Sequence, residues 1–180
     1  MSNASDFIIE NGVLKGYTGS DTDIVIPDEV KEFAGAPAFL GKEEPFTLTL
    51  SPNMTCRFGD LLSEGIAVVN IPAGTRFTCS DCSPNHTSFY TRLKEINVDP
   101  ANESCASVNG ILYSKDMTML IIAPRGLSGS YTVADTVTSI GGPYFAAYEM
   151  NGVDRTAEVE YTGFTGCAKL TEVLLPDSIQ

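Results

Sequence analysis

A chain of 180 residues, 43% of them hydrophobic, can bury a continuous core, and that length suits one domain or one repeat array. Its 23 acidic residues outweigh 11 basic ones, and the resulting formal charge of -12 repels phosphate backbones and anionic lipid heads. The basic residues are too dispersed to form a cationic stripe, so nucleic acid is excluded as a partner. No apolar run approaches the roughly 20 residues that cross a bilayer, so no membrane insertion is expected in this segment.

Met1-Ser2-Asn3-Ala4 reads as an expression scar ahead of a mature sequence, which leaves export open. The rest, 5–180, is expected to form a single domain. Three segments repeat one pattern: Ile24-Val25-Ile26-Pro27-Asp28-Glu29-Val30, Tyr131-Thr132-Val133-Ala134-Asp135-Thr136-Val137 and Val173-Leu174-Leu175-Pro176-Asp177-Ser178-Ile179. Each places an alternating apolar strand ahead of a small turn and a single aliphatic anchor. One supersecondary unit copied several times is the signature of a solenoid.

Upstream of the first copy, Asn11-Gly12-Val13-Leu14 has an echo in Asn109-Gly110-Ile111-Leu112, and both read as tight hairpins or bends. Weaker strands follow at Phe46-Thr47-Leu48-Thr49-Leu50, Val69-Asn70-Ile71-Pro72 and Ile96-Asn97-Val98-Asp99-Pro100, all with the period-two alternation of a half-buried strand. Pro27, Pro52, Pro72, Pro100 and Pro124 align as strand ends, 25, 20, 28 and 24 residues apart, close to the leucine-rich repeat period of about 20 to 29. The gap from Ala134 to Pro176 is 42 residues and is predicted to hold a degenerate repeat or an insertion. All six strands are expected side by side in one parallel sheet. Gly, Pro, Ser and Thr interrupt every helical stripe, so only short helical turns are predicted, at 34–40, 59–64 and 143–150.

Five cysteines, Cys56, Cys79, Cys82, Cys105 and Cys167, leave at least one unpaired within the chain. Cys79-Ser80-Asp81-Cys82 with His86 has ligand-like spacing, and Cys56 or Cys105 could complete a tetrahedral zinc site, but a second close pair is missing. Disulfides among Cys56, Cys79, Cys82 and Cys105, or free thiols, are the other readings. No metal or other cofactor is expected. His86 is the only histidine and reads as a surface residue, since no Gly-x-Ser-x-Gly elbow presents a nucleophile. Asp21, Asp23, Asp28 and Glu29 lack the glycine of a calcium loop and read as a solvated acidic edge. The sequons at Asn53, Asn85 and Asn102 read as chance matches.

Residues 163–179 carry an aromatic (Phe164), two residues, Gly166-Cys167, two residues, Leu170-Thr171, alternating aliphatics, Pro176 and the anchor Ile179. This stretch resembles the BspA-like leucine-rich repeats. Residues 24–33 and 133–141 resemble the strand and turn of the same repeat, 108–124 is similar to a spacer between repeats, and 41–105 is irregular against the pattern. The resemblance implies a mainly β, right-handed leucine-rich repeat solenoid of six or seven units, with a parallel β-sheet on one side and turns or short helices on the other. It further implies a bacterial cell-surface or secreted location and a non-catalytic recognition role, binding host or environmental protein or glycan as an adhesin does. A structural spacer of a larger surface protein is the alternative, and a hydrolase-type enzyme is the third reading. Outward strand positions Val25, Thr47, Thr49, Asn70, Asn97, Thr132 and Glu172 would carry binding. Leu170, Val173, Leu175 and Ile179 would point inward with Cys167 as a buried filler. An apolar C-terminal end without a polar cap suggests either that the natural chain continues or that a partner copy covers it by self-association.

Overall fold

The computed structural model describes residues 3–34, 38–39, 41–61, 63–78, 92–150, 153–161, 163–164 and 166–179, with backbone alone for 142–150 and 153–161. A 3₁₀ turn at Ala4–Asp6, capped by Asn3, leads into a hairpin of β1 (Phe7–Glu10) and β2 (Val13–Tyr17). Its two-residue loop holds Asn11 at φ 52° and Gly12 at φ 79°. Two successive left-handed residues make the type I′ turn that matches the twist of paired strands, and Asn-Gly adopts it with least strain.

The chain then steps between two rows of strands. β3 (Asp23–Val25) lies in the first row and β4 (Glu32–Phe33) in the second. β5 (Phe46–Thr49) and β6 (Thr55–Arg57) repeat the step, as do β7 (Ile66–Ile71) and β8 (Arg76–Thr78), and β9 (Glu95–Val98) adds a fourth strand to the first row. That first row is a parallel sheet in the order β3-β5-β7-β9. In the second row β4 pairs parallel with β2 and β6 with β8, while Thr55 N donates to Lys31 O at 2.8 Å across the gap between them. Three of the four strands in the first row come from the stretch that resembles the family pattern least. Aliphatic alternation is enough to specify them: Ile24, Leu48, Val69 and Ile96, then Ile26, Leu50 and Ile71, are all at most 1% exposed. Burying each such side chain contributes about 1.5–3 kcal/mol.

Every strand of the first row is followed by the same turn. Val30 N donates to Pro27 O, Met54 N to Ser51 O, Thr75 N to Pro72 O and Asn102 N to Asp99 O. The register therefore aligns Pro27 and Pro72 with Ser51 and Asp99, which corrects the alignment on Pro52 and Pro100 by one residue. The cause is a turn with two chemical solutions. Either Pro takes the first position, or Ser51 and Asp99 take it and bond the backbone two residues on, at Asn53 N and Ala101 N, with Pro at the second position where its φ fits. After β6 a short 3₁₀ turn, Phe58–Leu61, overlaps the helical turn expected at 59–64. Asp60 fastens it by accepting from Arg57 N and by pairing with the Arg57 guanidinium, both at 2.8 Å.

Beyond β9 the parallel stacking is interrupted. β10 (Cys105–Val108) and β11 (Ile111–Ser114) form a second Asn-Gly hairpin, with Asn109 at φ 51° and Gly110 at φ 79°, and β12 (Met119–Ile122) extends it antiparallel. Ile96 N donates to Gly110 O, so this hairpin rather than a further repeat strand meets the open side of β9. Ile111, Leu112 and Tyr113 are all fully buried. β11 achieves this because it separates two cores: Leu112, Ile121 and Ile122 join the cluster of the first repeats, and Ile111, Tyr113 and Leu120 join a second one with Tyr131, Val133 and Val137. The expected spacer is a partition wall, and Pro124 follows an antiparallel strand rather than a repeat strand.

On the far side, β13 (Ser128–Thr132) begins the next copy, and β14 (Ser139–Ile140) returns to pair parallel with β12. Then β15 (Gly142–Met150) and β16 (Val153–Tyr161) form a long antiparallel hairpin. The expected helical turn at 143–150 is therefore a strand. Leu120 pairs with Ile140 on one side of this hairpin and Ile122 bridges to Gly163 on the other, so the chain leaves and rejoins the same line beside β12. The 42-residue gap is an insertion. β17 (Lys169–Leu174) pairs parallel with β13, in a two-stranded sheet separate from the four-stranded one. The expectation of one six-stranded parallel sheet is corrected accordingly, because the partition wall occupies the edge where β13 would have joined β9.

Candidate functional site

Parallel register sets two rows of side chains across the outer face of the four-stranded sheet. Asp23, Thr47, Val68 and Glu95 form one row, and Val25, Thr49, Asn70 and Asn97 form the next. At the usual spacing of about 4.8 Å between strands, each row is roughly 14 Å wide. Period-two alternation keeps them outside because their neighbours Ile24, Leu48, Val69 and Ile96 are held in the core. A bulge at the start of β7, where Phe46 faces Ile66 and Thr47 faces Val68, sets the rows in line.

Within the second row the side chains are bonded to each other. Asn70 Nδ2 donates to Thr49 Oγ1 at 3.1 Å, and Asn97 Nδ2 donates to Asn70 Oδ1 at 3.2 Å. All these bonds run one way, from β9 toward β3. Among the described residues, the Thr49 hydroxyl hydrogen, the second Nδ2 hydrogen of each asparagine and Asn97 Oδ1 remain available to a ligand. Asp23 and Glu95, both exposed, stand at opposite ends of the other row, while Val25, 46% exposed, closes the ladder with an apolar end.

Five of the seven expected positions, Val25, Thr47, Thr49, Asn70 and Asn97, thus meet on one face. Thr132 and Glu172 do not join them. They lie in the β13–β17 sheet, where Ser130 faces Glu172 and Thr132 faces Leu174, beyond the β10–β12 wall.

The cysteine readings divide in the same way. Cys79, Cys82, His86 and Asn85 lie outside the described residues, as does most of 34–40. Cys56 and Cys105 are free thiols, 0% and 2% exposed, packed in the first core. Burial pushes the Cys56 thiol well up, and pushes Cys105 up to about 11, which disfavours the thiolate a metal ligand needs. Cys167 is half-buried rather than buried. Its Sγ donates to Ala123 O and Pro124 O at 3.4 and 3.5 Å, and burial raises its pKa against an opposing pull from Arg125. Gly166 beside it has φ 81°, a left-handed backbone that favours glycine, and it lies against the Arg125 guanidinium. Of the four apolar residues expected to face inward, Leu170, Val173 and Ile179 pack on the second core, whereas Leu175 is 56% exposed; its neighbour Leu174 is 50% exposed.

The acidic residues around β3 stand apart. Tyr17 Oη donates to Asp21 Oδ2 ahead of the strand, whereas Asp28 and Glu29 lie in the turn after it. Among the described residues no three such groups come together as metal ligands.

Sequence reasoning missed a column of polar side chains inside the turns. Asn53 Nδ2 donates to Asp28 O, Thr75 Oγ1 to Ser51 O, and Ser178 Oγ to Asp135 O and Val137 O, each reaching the preceding turn. Asn102, 0% exposed, donates to Pro72 O and Thr75 O, both at 2.8 Å, and accepts from Ser104 N and Cys105 N. Its amide is consumed by the fold and is closed to glycosylation. A small polar residue recurring just after each strand was the available signal, and it was visible only in the corrected turn alignment.

The fold has a counterpart among solved structures. A leucine-rich repeat protein from Eubacterium ventriosum superposes with a TM-score of 0.52 at 17% identity, covering 84% of this chain and 35% of that one. The fold is that of a leucine-rich repeat protein, mainly β with almost no helix. The pneumococcal vaccine antigen PcpA matches with a TM-score of 0.40 and 23% identity over the same shares of the two chains. The chain thus spans about a third of the length of the solved structures it matches. No family model matches the chain, and no curated protein does.

Proposed function

We propose that this chain is a non-catalytic recognition module, built as a right-handed repeat solenoid in a bacterial cell-surface or secreted protein, and that it binds an extracellular protein or glycan on the outer face of the four-stranded sheet. The observation that carries this is the Thr49–Asn70–Asn97 ladder. Three polar side chains on three different strands are held in register by their own hydrogen bonds and retain unused donors and an acceptor. Such a row loses little side-chain freedom when a ligand binds, because the ordering is already complete. The leucine-rich repeat fold of the Eubacterium ventriosum protein supports the architecture.

The test is a panel of immobilised extracellular-matrix proteins and glycans probed with wild-type protein and with Asn70→Ala and Asn97→Ala variants. The reading expects at least one ligand whose affinity falls about tenfold, or about 1.4 kcal/mol, in each variant. Folding stability should fall by about 1 kcal/mol or less in Asn97→Ala, which loses one exposed bond, and by about 1–2 kcal/mol in Asn70→Ala, which loses two. An empty panel, or a ligand bound equally well by both variants, would mean the face serves only as the wall of a spacer.

A further inference from the structure

A cavity of about 420 Å³ opens at the N-terminal ends of β3 and β5, between the loop that follows β2 and the segment 41–45 that precedes β5. Its size falls within the range of about 300–1,000 Å³ usual for small-ligand sites. The floor is aromatic: Tyr17 and Phe39 line it, and their rings pack with centroids 5.7 Å apart in a run that continues to Phe7 on one side and Phe46 on the other. The rim is polar, carrying Ser20, Lys42, Glu43 and Glu44.

The wall behind the rim is held by bonds from the next repeat. Buried Ser63 donates through Oγ to Phe39 O and Lys42 O at 3.3 and 3.4 Å, and Gly65 N donates back to Ser63 Oγ. A Cβ on Gly65 would press into Lys42 O and Glu44 O, so these backbones already touch. Across the opening, Tyr17 N donates to Ala38 O, and Thr47 N donates to Thr22 O.

Charge decides the class of ligand. Lys42 Nζ lies 5.9 Å from the Tyr17 ring centroid and 5.5 Å from that of Phe46, with no carboxylate partner among the described residues. A cationic ligand would find the exposed edge of this aromatic run already taken by an ammonium. An anionic one would meet Glu43 and Glu44 on the rim of a chain with formal charge -12. A neutral polyhydroxylated ligand meets neither penalty: Lys42 and Ser20 can donate to its hydroxyls, and Glu43 and Glu44 can accept from them.

We propose that this cavity is a subsite for a neutral sugar unit of a glycan whose chain continues over the adjoining Asp23–Thr47 end of the sheet face. The continuation rests on the recognition function proposed above, and the cavity's own specificity is tested separately from it. Full-length chain is titrated with neutral trisaccharides of glucose, of galactose and of N-acetylglucosamine, followed by saturation-transfer NMR and calorimetry. The variants are Lys42→Met, which keeps the stem over the rings, Glu44→Gln on the exposed rim, and Asn97→Ala on the sheet face. At least one trisaccharide should bind, with Kd weakened about tenfold or more by Lys42→Met and by Glu44→Gln. Glu44→Gln should leave Tm unchanged, so a folding defect in Lys42→Met does not remove the test.

Absence of binding by every neutral trisaccharide, or binding that ignores both pocket variants, would overturn the subsite. Preference for a sialylated or uronic-acid trisaccharide would overturn its neutral class. Sugar binding lost in Asn97→Ala alone would overturn the subsite while leaving face recognition intact. Sugar bound at the pocket together with an empty matrix and glycan panel would support the subsite and refute the face.

Discussion

Replacing Asn102 by alanine should be among the most damaging single changes available in the first core, although no catalytic or binding role is assigned to it. The side chain is 0% exposed and joins two repeat turns, donating to Pro72 O and Thr75 O and accepting from Ser104 N and Cys105 N. Alanine leaves two backbone carbonyls and two N–H groups without that partner. Each buried polar group left unpaired costs about 1–3 kcal/mol, and a water entering the vacated polar space recovers part of this. The net loss should be about 3–5 kcal/mol, a large share of the roughly 5–15 kcal/mol that holds a domain folded. Urea unfolding followed by circular dichroism measures it, with the midpoint falling and the slope unchanged. Asn53→Ala is the matched control, because Asn53 makes its bond to Asp28 O in an exposed turn and should lose only about 0.5–1 kcal/mol. Asn102→Asp keeps the acceptor oxygens but points a carboxylate at two carbonyls, so its stability relative to wild type should recover as pH falls and protonation restores one donor. An Asn102→Ala protein within about 1 kcal/mol of wild type, at unchanged slope, would refute the view that this amide joins the turns.

Gly110→Ala should destabilise by about 1–2 kcal/mol or more in the same assay, since φ is 79° there and the new Cβ would stand 3.1 Å from Glu95 Cγ. Ellman's reagent should spare Cys56 and Cys105 in the native protein and modify both after denaturation, because they are buried free thiols. Stability should fall as pH rises from about 9 toward 11. The Cys105 thiol is raised to about 11 in the fold from an ordinary value of 9.0, so the neutral-thiol contribution is complete below pH 9 and is lost as the unfolded chain ionises first. The Tyr113 hydroxyl, raised by burial and then by its bond to Tyr131, acts in the same direction at higher pH. Light scattering over a concentration series should detect association through Leu174 and Leu175, about half exposed on one strand end, and Leu175→Ser should diminish it.

Local pattern was enough for the strands and hairpins of this protein. Ile24-Val25-Ile26 and its weaker copies alternate at the period that separates a core face from an outer face, and Asn11-Gly12 and Asn109-Gly110 carry a left-handed requirement that few other pairs meet. These signals lie within a few residues of one another, so they survive being read in one dimension. The split of the sheet does not. β13 has the same alternation as β3, and only the β10–β11 hairpin lying against β9 keeps it out of the first sheet. The burial of Ile111, Leu112 and Tyr113 likewise depends on cores forming on both sides of one strand, which alternation cannot announce. At 143–150, Tyr144, Phe145 and Tyr148 favour a strand while Ala146, Ala147, Glu149 and Met150 favour a helix, and pairing with β16 made the segment a strand. For the candidate face, alternation placed Thr49, Asn70 and Asn97 outside, but their hydrogen bonds to each other required the register of three strands more than twenty residues apart. Asn102 illustrates the limit from the other side: a polar residue two positions after a proline reads as surface, and it is buried because stacked turns bring carbonyls and amides of two repeats to its amide at once.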